Sequence, residues 1–279
     1  MLYASEVELS LLDYRLERIY HVKKYIANFM KYKFLLTELV KKDIKLKYRR
    51  SKLGILWTLI EPLLTMIVLT VVFGTLYSRD RYFSIYILTG RLMYSFFSGA
   101  TKAAARAIRS NSGMMRKVYV PKYMYPLASV TSNFITFLIS LIVLVGVAVY
   151  LQVPATRHLV EAVIPLFILY FLALGVGMIL ATLEVFFRDL EYLWGVVLML
   201  IMYCCAIFYP TEKLEAKGLG WIFDINPLYA LIKNFRNAVL YGVGPDMQAL
   251  IYASLFAIIT LGVGTYMFYK KQDEFILYL

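Results

Sequence analysis

Residues 127–151 read LASVTSNFITFLISLIVLVGVAVYL, twenty-five positions without a formal charge. At 1.5 Å per helical residue such a run covers about 37 Å, longer than the roughly 30 Å hydrocarbon core of a bilayer. It reads as a membrane-spanning helix. Comparable runs lie at about 53–77, 84–105, 162–183, 192–209 and 247–269; the first is broken by Glu61-Pro62 and the second carries Arg91. The expectation is an all-α, polytopic membrane protein with six transmembrane helices. Composition agrees. Of 279 residues, 61% are hydrophobic and 17% charged, with a mean hydropathy of +0.67, whereas a soluble domain runs near 45–50% and about 25%. A soluble enzyme and a disordered chain are both excluded.

The chain divides at the first span. Residues 1–52 hold thirteen Lys/Arg and six Asp/Glu. Leu9, Leu12, Leu16, Ile19 and Ile26 fall close to one helical stripe, which predicts an amphipathic helix on the membrane surface or against a partner. A second helix is expected over 34–47. It ends in the cluster Lys41, Lys42, Lys45, Lys47, Arg49, Arg50 and Lys52, suited to the cytoplasm and its anionic headgroups. No apolar stretch of the signal-peptide kind is present there, so the first span is expected to act as the targeting signal. Residues 53–279 form the transmembrane domain. Within it, 210–246 is cut by Pro210, Gly218, Gly220, Asn226-Pro227 and Pro245. Its apolar fragments, 221–225 and 228–232, are too short to cross and are expected as short helices dipping into the membrane or lying on it.

Charge sets the orientation. The chain carries 30 Lys/Arg against 18 Asp/Glu, a net +12. Six spans leave both termini on one side, and that side holds 22 of the basic residues against seven on the other. The positive-inside rule puts both ends in the cytoplasm of a plasma (inner) membrane. Topology thus accounts for the charge, and a nucleic-acid partner is not needed. Cys204 and Cys205 are adjacent in an apolar run, while His21 and His158 fall on opposite sides, so no disulfide framework or metal site is expected. Ala173/Gly177 and Ala253/Ala257 have the small-xxx-small spacing of packed helices.

Catalytic patterns are missing. There is no phosphate loop of the G-x-x-x-x-G-K-[ST] type, no H-E-x-x-H and no G-x-S-x-G. Ionisable groups are costly in hydrocarbon and mark intramembrane chemistry, yet the spans, with the second counted to about residue 100, contain only Glu61 and Arg91. That scarcity speaks against catalysis and against an ion-coupled carrier.

Four motifs carry a resemblance. Tyr48-Arg49-Arg50-Ser51-Lys52-Leu53-Gly54-Ile55-Leu56-Trp57, then Glu61-Pro62-Leu63-Leu64 and Phe73-Gly74, resembles the approach to the first span in polysaccharide-exporting ABC-2 permeases. These are the membrane subunits of O-antigen, capsule and wall teichoic acid exporters. Lys117-Val118-Tyr119-Val120-Pro121-Lys122 with Pro126-Leu127 is similar to the family's segment before span three. Phe186-Phe187-Arg188-Asp189-Leu190 resembles its loop between spans four and five, and Asn226-Pro227-Leu228 with Phe235-Arg236 its late extracytoplasmic segment.

The resemblance implies a half-transporter. Two copies would form the pore, and two copies of a separate ATPase would hold ATP and Mg, leaving this chain without a cofactor. A lipid-linked glycopolymer would move outward past membrane lipids. Within the class, an exporter of a drug or small lipid is the rival; outside it, an ATP-independent carrier or flippase.

Site residues follow on the same footing. The resemblance implies that Met114, Arg116, Lys117 and Lys122, with Phe187, Arg188 and Asp189, pass ATPase motion to the spans; otherwise they are ordinary basic loops, with Arg188-Asp189 a local ion pair at a helix end. Glu61 sits about 12 Å into the first helix, as a hydrogen-bonded acid at the Pro62 kink or as part of the polymer path. Arg91, about 10 Å from the outer end of span two, either snorkels outward or guides a phosphate of the substrate; the family more often has an apolar residue there. Trp57, Phe73, Tyr77, Tyr94, Phe96, Phe97, Tyr203, Phe208 and Tyr209 are candidate rings for sugar faces. Trp221, Phe223, Pro227 and Tyr229 resemble the family's extracytoplasmic gate, or else anchor an interfacial loop.

Overall fold

The computed structural model describes residues 32–76, 81–117 and 120–278. The stripe expected over residues 9–26 and the path candidate Tyr77 therefore lie outside the described residues. The described chain is helical throughout. It begins with α1 (residues 32–48), then a 3-10 turn at Gly54–Leu56 and α2 (Trp57–Gly74). Next come α3 (Phe83–Ser110), a single-turn α4 (Ser112–Met115), α5 (Met124–Tyr150), α6 (Val163–Phe186) and α7 (Leu190–Tyr203). Three short helices follow, α8 (Glu212–Glu215), α9 (Trp221–Asp224) and α10 (Pro227–Arg236). A π turn, Asn237–Tyr241, then leads to α11 (Met247–Lys271) and α12 (Phe275–Tyr278).

Local chemistry sets several boundaries. The Asn226 side chain accepts from the Leu228 and Tyr229 amides with Pro227 at the first helical position, so α10 starts there. Asp246 caps α11 by accepting from the Ala249 amide. Pro62 lies inside α2, which continues through it to Gly74.

Among the described residues, four helical stretches are long and apolar enough to cross a membrane: Gly54–Gly74, Met124–Tyr150, Arg157–Phe186 and Met247–Tyr278. The other two expected spans depart for different reasons. α3 has ample length, 28 residues, but carries Arg91, Lys102, Arg106 and Arg109. α7 is apolar but stops at Tyr203, not near 209, and its 14 residues reach only about 21 Å. The chain leaves the helix at Cys204, and Ala206 adopts φ 45°. Side chains from elsewhere claim the freed carbonyls. The Tyr86 hydroxyl stands 2.9 Å from the oxygens of both Ala206 and Tyr209, and Asn226 Nδ2 donates to Cys204 O at 3.1 Å. An apolar sequence window carries no trace of those distant partners.

Seventeen of the 28 residues of α3 are buried, so this helix runs through the middle of the bundle. Lipid supplies no hydrophobic drive between helices, and close backbone approach does the work instead. A Cβ on Gly175 of α6 would lie 2.5 Å from the Leu261 nitrogen of α11, and one on Gly264 would lie 2.6 Å from the Gly175 oxygen. Gly177 faces α3, where a Cβ would meet Ala104 Cβ at 2.8 Å. Ala173, Ala253 and Ala257 are buried as their spacing suggested, but the tightest approach is made by Gly175 and Gly264, outside those pairs.

A second cluster closes one end of the bundle. Leu39 and Val40 of α1 meet Ile108 of α3, Met124 of α5, Val185 of α6 and Phe275 of α12. The loops carrying residues 204–209 and helix α10 lie at the opposite end, against the other core cluster.

Candidate substrate cleft and coupling surface

Helices α2, α3 and α5, with the end of α1, enclose a polar cleft of about 160 Å³. Glu61 and Thr65 of α2 face it from one side, Arg91 and Ser95 of α3 from another, Asn133 and Thr136 of α5 from a third. Lys47 and Tyr48 close it at the α1 end, and Phe96 and Phe137 supply ring faces. The two ionisable span residues thus line one cleft, which their depths along separate helices gave no reason to expect. Arg91 is half-buried in this cleft.

The cleft suits polyhydroxylated ligands. Its hydroxyls already donate to their own helices: Thr65 to Glu61 O at 2.7 Å, Thr136 to Ser132 O at 2.8 Å, Ser140 to Thr136 O at 3.0 Å. Their lone pairs are left as acceptors. Arg91 and Lys47 add donors, Glu61 a charged acceptor. A signal for α5 existed in the sequence: Ser129, Asn133, Thr136 and Ser140 recur at spacings of three and four, one helical face in an otherwise apolar span.

The remaining path candidates are placed elsewhere. Tyr94, 6% exposed, donates its hydroxyl to Leu198 O at 2.9 Å and so brackets α3 to α7. Phe208, 7% exposed, stacks on Phe73 with centroids 5.3 Å apart. Phe97 is buried beside Trp194 and lines a separate, apolar cavity of about 440 Å³ between α7 and α11. Trp57 and Tyr203 are exposed. The Tyr209 hydroxyl donates to Tyr203 O. Of the described rings proposed from sequence, only Phe96 lines the polar cleft.

Among the gate candidates, Phe223 is buried between Tyr209 and Tyr229, with centroid distances of 6.5 and 5.0 Å. Pro227 is half-buried at the start of α10, whereas Trp221 of α9 is exposed. Nearby, Lys233 Nζ reaches Asp246 Oδ2 at 2.8 Å. That contact and the Ala249 amide hold the Asp246 carboxyl below the ordinary carboxylate range. A lowered pKa means the stabilisation is present above the unfolded value and lost as pH falls through the folded one. Asn caps a helix as well as Asp does, so Asp246→Asn loses only the partly exposed Lys233 pair and is expected to cost about 0.5 kcal/mol at neutral pH, and the gap in thermal midpoint from the parent chain should shrink below about pH 4. A constant gap down to pH 3 would contradict this.

The loops implicated in coupling gather at the α1/α12 end. Met114 and Phe186 pack on the second cluster. Arg116 and Lys117 are exposed, while Lys122 is engaged with the Gln272 carbonyl. Phe187, Arg188 and Asp189 stand exposed between α6 and α7. Among the described residues Arg188 and Asp189 form no ion pair, and Asp189 starts α7 without a side-chain cap bond, so the helix-end pair does not form.

Sequence reasoning missed the ion network behind this loop. α6 runs on to Phe186, which carries Glu184 inside the helix with its side chain 1% exposed. Arg109 of α3 lies 2.8 Å from Glu184 and 2.9 Å from Glu191, and Arg106 also pairs with Glu191. The four residues bolt the end of α3 to the α6–α7 link. Arg109→Ala leaves the buried Glu184 without a countercharge, at a cost of about 1–3 kcal/mol, nearer the lower figure because Arg109 is 39% exposed. Its thermal midpoint in detergent should fall by several degrees while Arg188→Ala stays at the parent value; equal midpoints would remove the network's role.

A bundle of apolar helices around an intramembrane polar cleft, with exposed loops at one end, defines a membrane transport protein. The ABC-2 type transporter family profile matches residues 35–240, and the chain belongs to that family. It is similar to the O-antigen export system permease protein RfbA of Myxococcus xanthus, with 27% identity over 254 residues covering 90% of this chain and 97% of that one. The protein of the same name from Klebsiella pneumoniae is 28% identical over 86% of this chain and 93% of its own length. The polysialic acid transport protein KpsM of Escherichia coli is 22% identical over 84% and 91%.

Proposed function

We propose that this chain is the membrane half of an ATP-driven exporter that moves a lipid-linked polysaccharide, of the O-antigen, capsule or teichoic acid kind, outward across the plasma (inner) membrane. Two copies form the path, with both termini in the cytoplasm and α3 and α7 completing six crossings. Two copies of a separate ATPase subunit hold ATP and Mg and dock on the exposed residues Phe187, Arg188 and Asp189 with Arg116 and Lys117. Residues 210–246, with Phe223 among its neighbouring rings, form the gate on the far side. The observation that carries this reading is the polar cleft holding Glu61 and Arg91, whose acceptor-rich walls suit a sugar chain. The names of the relatives, which are O-antigen and polysialic acid export proteins, support the substrate class.

The test is co-purification from native cells. The tagged chain should bring down a stoichiometric phosphate-loop subunit that hydrolyses ATP, and deletion of the chain should remove polymer from the cell surface. A purified chain without any ATPase would overturn the reading in favour of a carrier or flippase. In the intact complex, Arg188→Ala or Asp189→Ala should leave ATP hydrolysis running while export falls by about tenfold, a coupling loss of about 1.4 kcal/mol. Export at the parent level in both variants would remove these residues from the docking surface.

A further inference from the structure

We infer that the cavity beside Arg236, at the end of the bundle opposite α1 and α12, binds an oxyanion: a carboxylate or phosphate carried on the exported glycan. The source of the anion rests on the export reading above; the site itself does not.

Arg236 ends α10 and is 3% exposed. Its Nη1 donates to Ala206 O at 3.1 Å and its Nη2 to Tyr86 O at 3.0 Å, with the guanidinium carbon 3.5 Å over the Tyr86 ring. All three partners are neutral. Its Nε has no hydrogen-bond partner among the described residues, and none of their carboxylates lies within ion-pair distance of it. A buried, uncompensated guanidinium is costly, and the fold makes room for it deliberately: a Cβ on Gly90 would sit 2.6 Å from Nη2.

The guanidinium borders a cavity of about 450 Å³ lined also by Thr211, Glu212, Tyr229, Lys233 and Asn237. That volume falls in the range of small-ligand sites. Of the charged groups facing it, Lys233 is already held by Asp246 at 2.8 Å, and Glu212 stands exposed at the rim. Arg236 is the cation left with unspent donors. A guanidinium offers a planar fork matched to carboxylate or phosphate oxygens, and Thr211 and Tyr229, whose hydroxyls hydrogen-bond each other, line the same cavity. A purely structural clamp on Ala206 and Tyr86 would be indifferent to anions in the medium, which separates the two roles.

The full chain in nanodiscs of zwitterionic lipid is titrated with glucuronate, inorganic phosphate or neutral glucose, and its thermal midpoint and apparent affinity are read. Glucuronate and phosphate should raise the midpoint saturably and glucose should not. Glu212→Gln, on the exposed rim, should tighten the anions about two- to fivefold. Arg236→Gln should abolish the response, and Arg157→Ala, at an exposed arginine outside both the cavity and the cleft, should keep it. An unchanged response in Arg236→Gln, or no anion response in Glu212→Gln, overturns the site; if Arg236→Gln fails to fold, Glu212→Gln decides alone. A response seen only in anionic bilayers assigns the site to lipid headgroups and overturns the glycan source. Anion failure in a chain that co-purifies with its ATPase sinks this inference and spares the exporter; anion binding without an ATPase does the reverse.

Discussion

Arg91→Ala is expected to lower surface polymer by about tenfold or more at unchanged protein level. Loss of one charged hydrogen-bond partner in a confined site corresponds to about 1.5–3 kcal/mol, and about 1.4 kcal/mol is already a factor of ten in rate. The cleft explains why the effect should be specific. Arg91 shares it with Glu61 and Lys47, between hydroxyl-bearing faces of α2, α3 and α5. Arg91→Lys keeps the charge but loses the planar fork, so export should recover only in part. Glu61→Gln removes the acidic wall while keeping an acceptor, and its loss should be smaller. The measurement is surface polymer normalised to permease in the membrane; near-parent export in Arg91→Ala would reduce the residue to a lipid anchor.

Gly175→Ala is expected to be the most damaging single methyl in the protein. The added Cβ would lie 2.5, 2.7 and 2.8 Å from the Leu261 nitrogen, the Thr260 carbonyl carbon and the Leu261 Cα, all backbone atoms that cannot rotate away. Relief requires α6 and α11 to separate, along the interface that otherwise relies on small residues. Overpacking of this kind costs about 1–3 kcal/mol or more, and a broad loss of monodisperse protein in detergent should follow. Gly264→Ala attacks the same approach from the other helix, so the double variant should cost less than the sum. Gly262→Ala is the control, since a Cβ there meets nothing within 4 Å. Parent-like melting of Gly175→Ala would show that the two helices have slack at this crossing.

Phe96 faces the polar cleft, yet Tyr94, two positions away, turns its hydroxyl to Leu198 and serves packing. Both are aromatic, both lie in α3, and only the bundle's arrangement separates their roles. The α6–α7 link was legible as a motif, but its anchoring through Arg106, Arg109, Glu184 and Glu191 was not. The paired partners are 75 or more positions apart along the chain, and no local pattern joins them. The serine, asparagine and threonine face of α5 was legible in principle, because a helical period shows in one dimension.

Sequence by itself determined the membrane class, the helical architecture, the charge asymmetry and the motifs that resemble polysaccharide-exporting ABC-2 permeases. Each is a sum or a period over neighbouring residues, and bilayer thickness converts such sums directly into helices. Tertiary structure alone decided that Arg91 and Glu61 line one cleft, that α7 ends at Tyr203, and that Arg236 is buried with no countercharge among the described residues. These depend on how closely helices approach, which Gly175, Gly264 and Gly90 permit by lacking a side chain, and on carbonyls claimed by partners more than a hundred residues away along the chain.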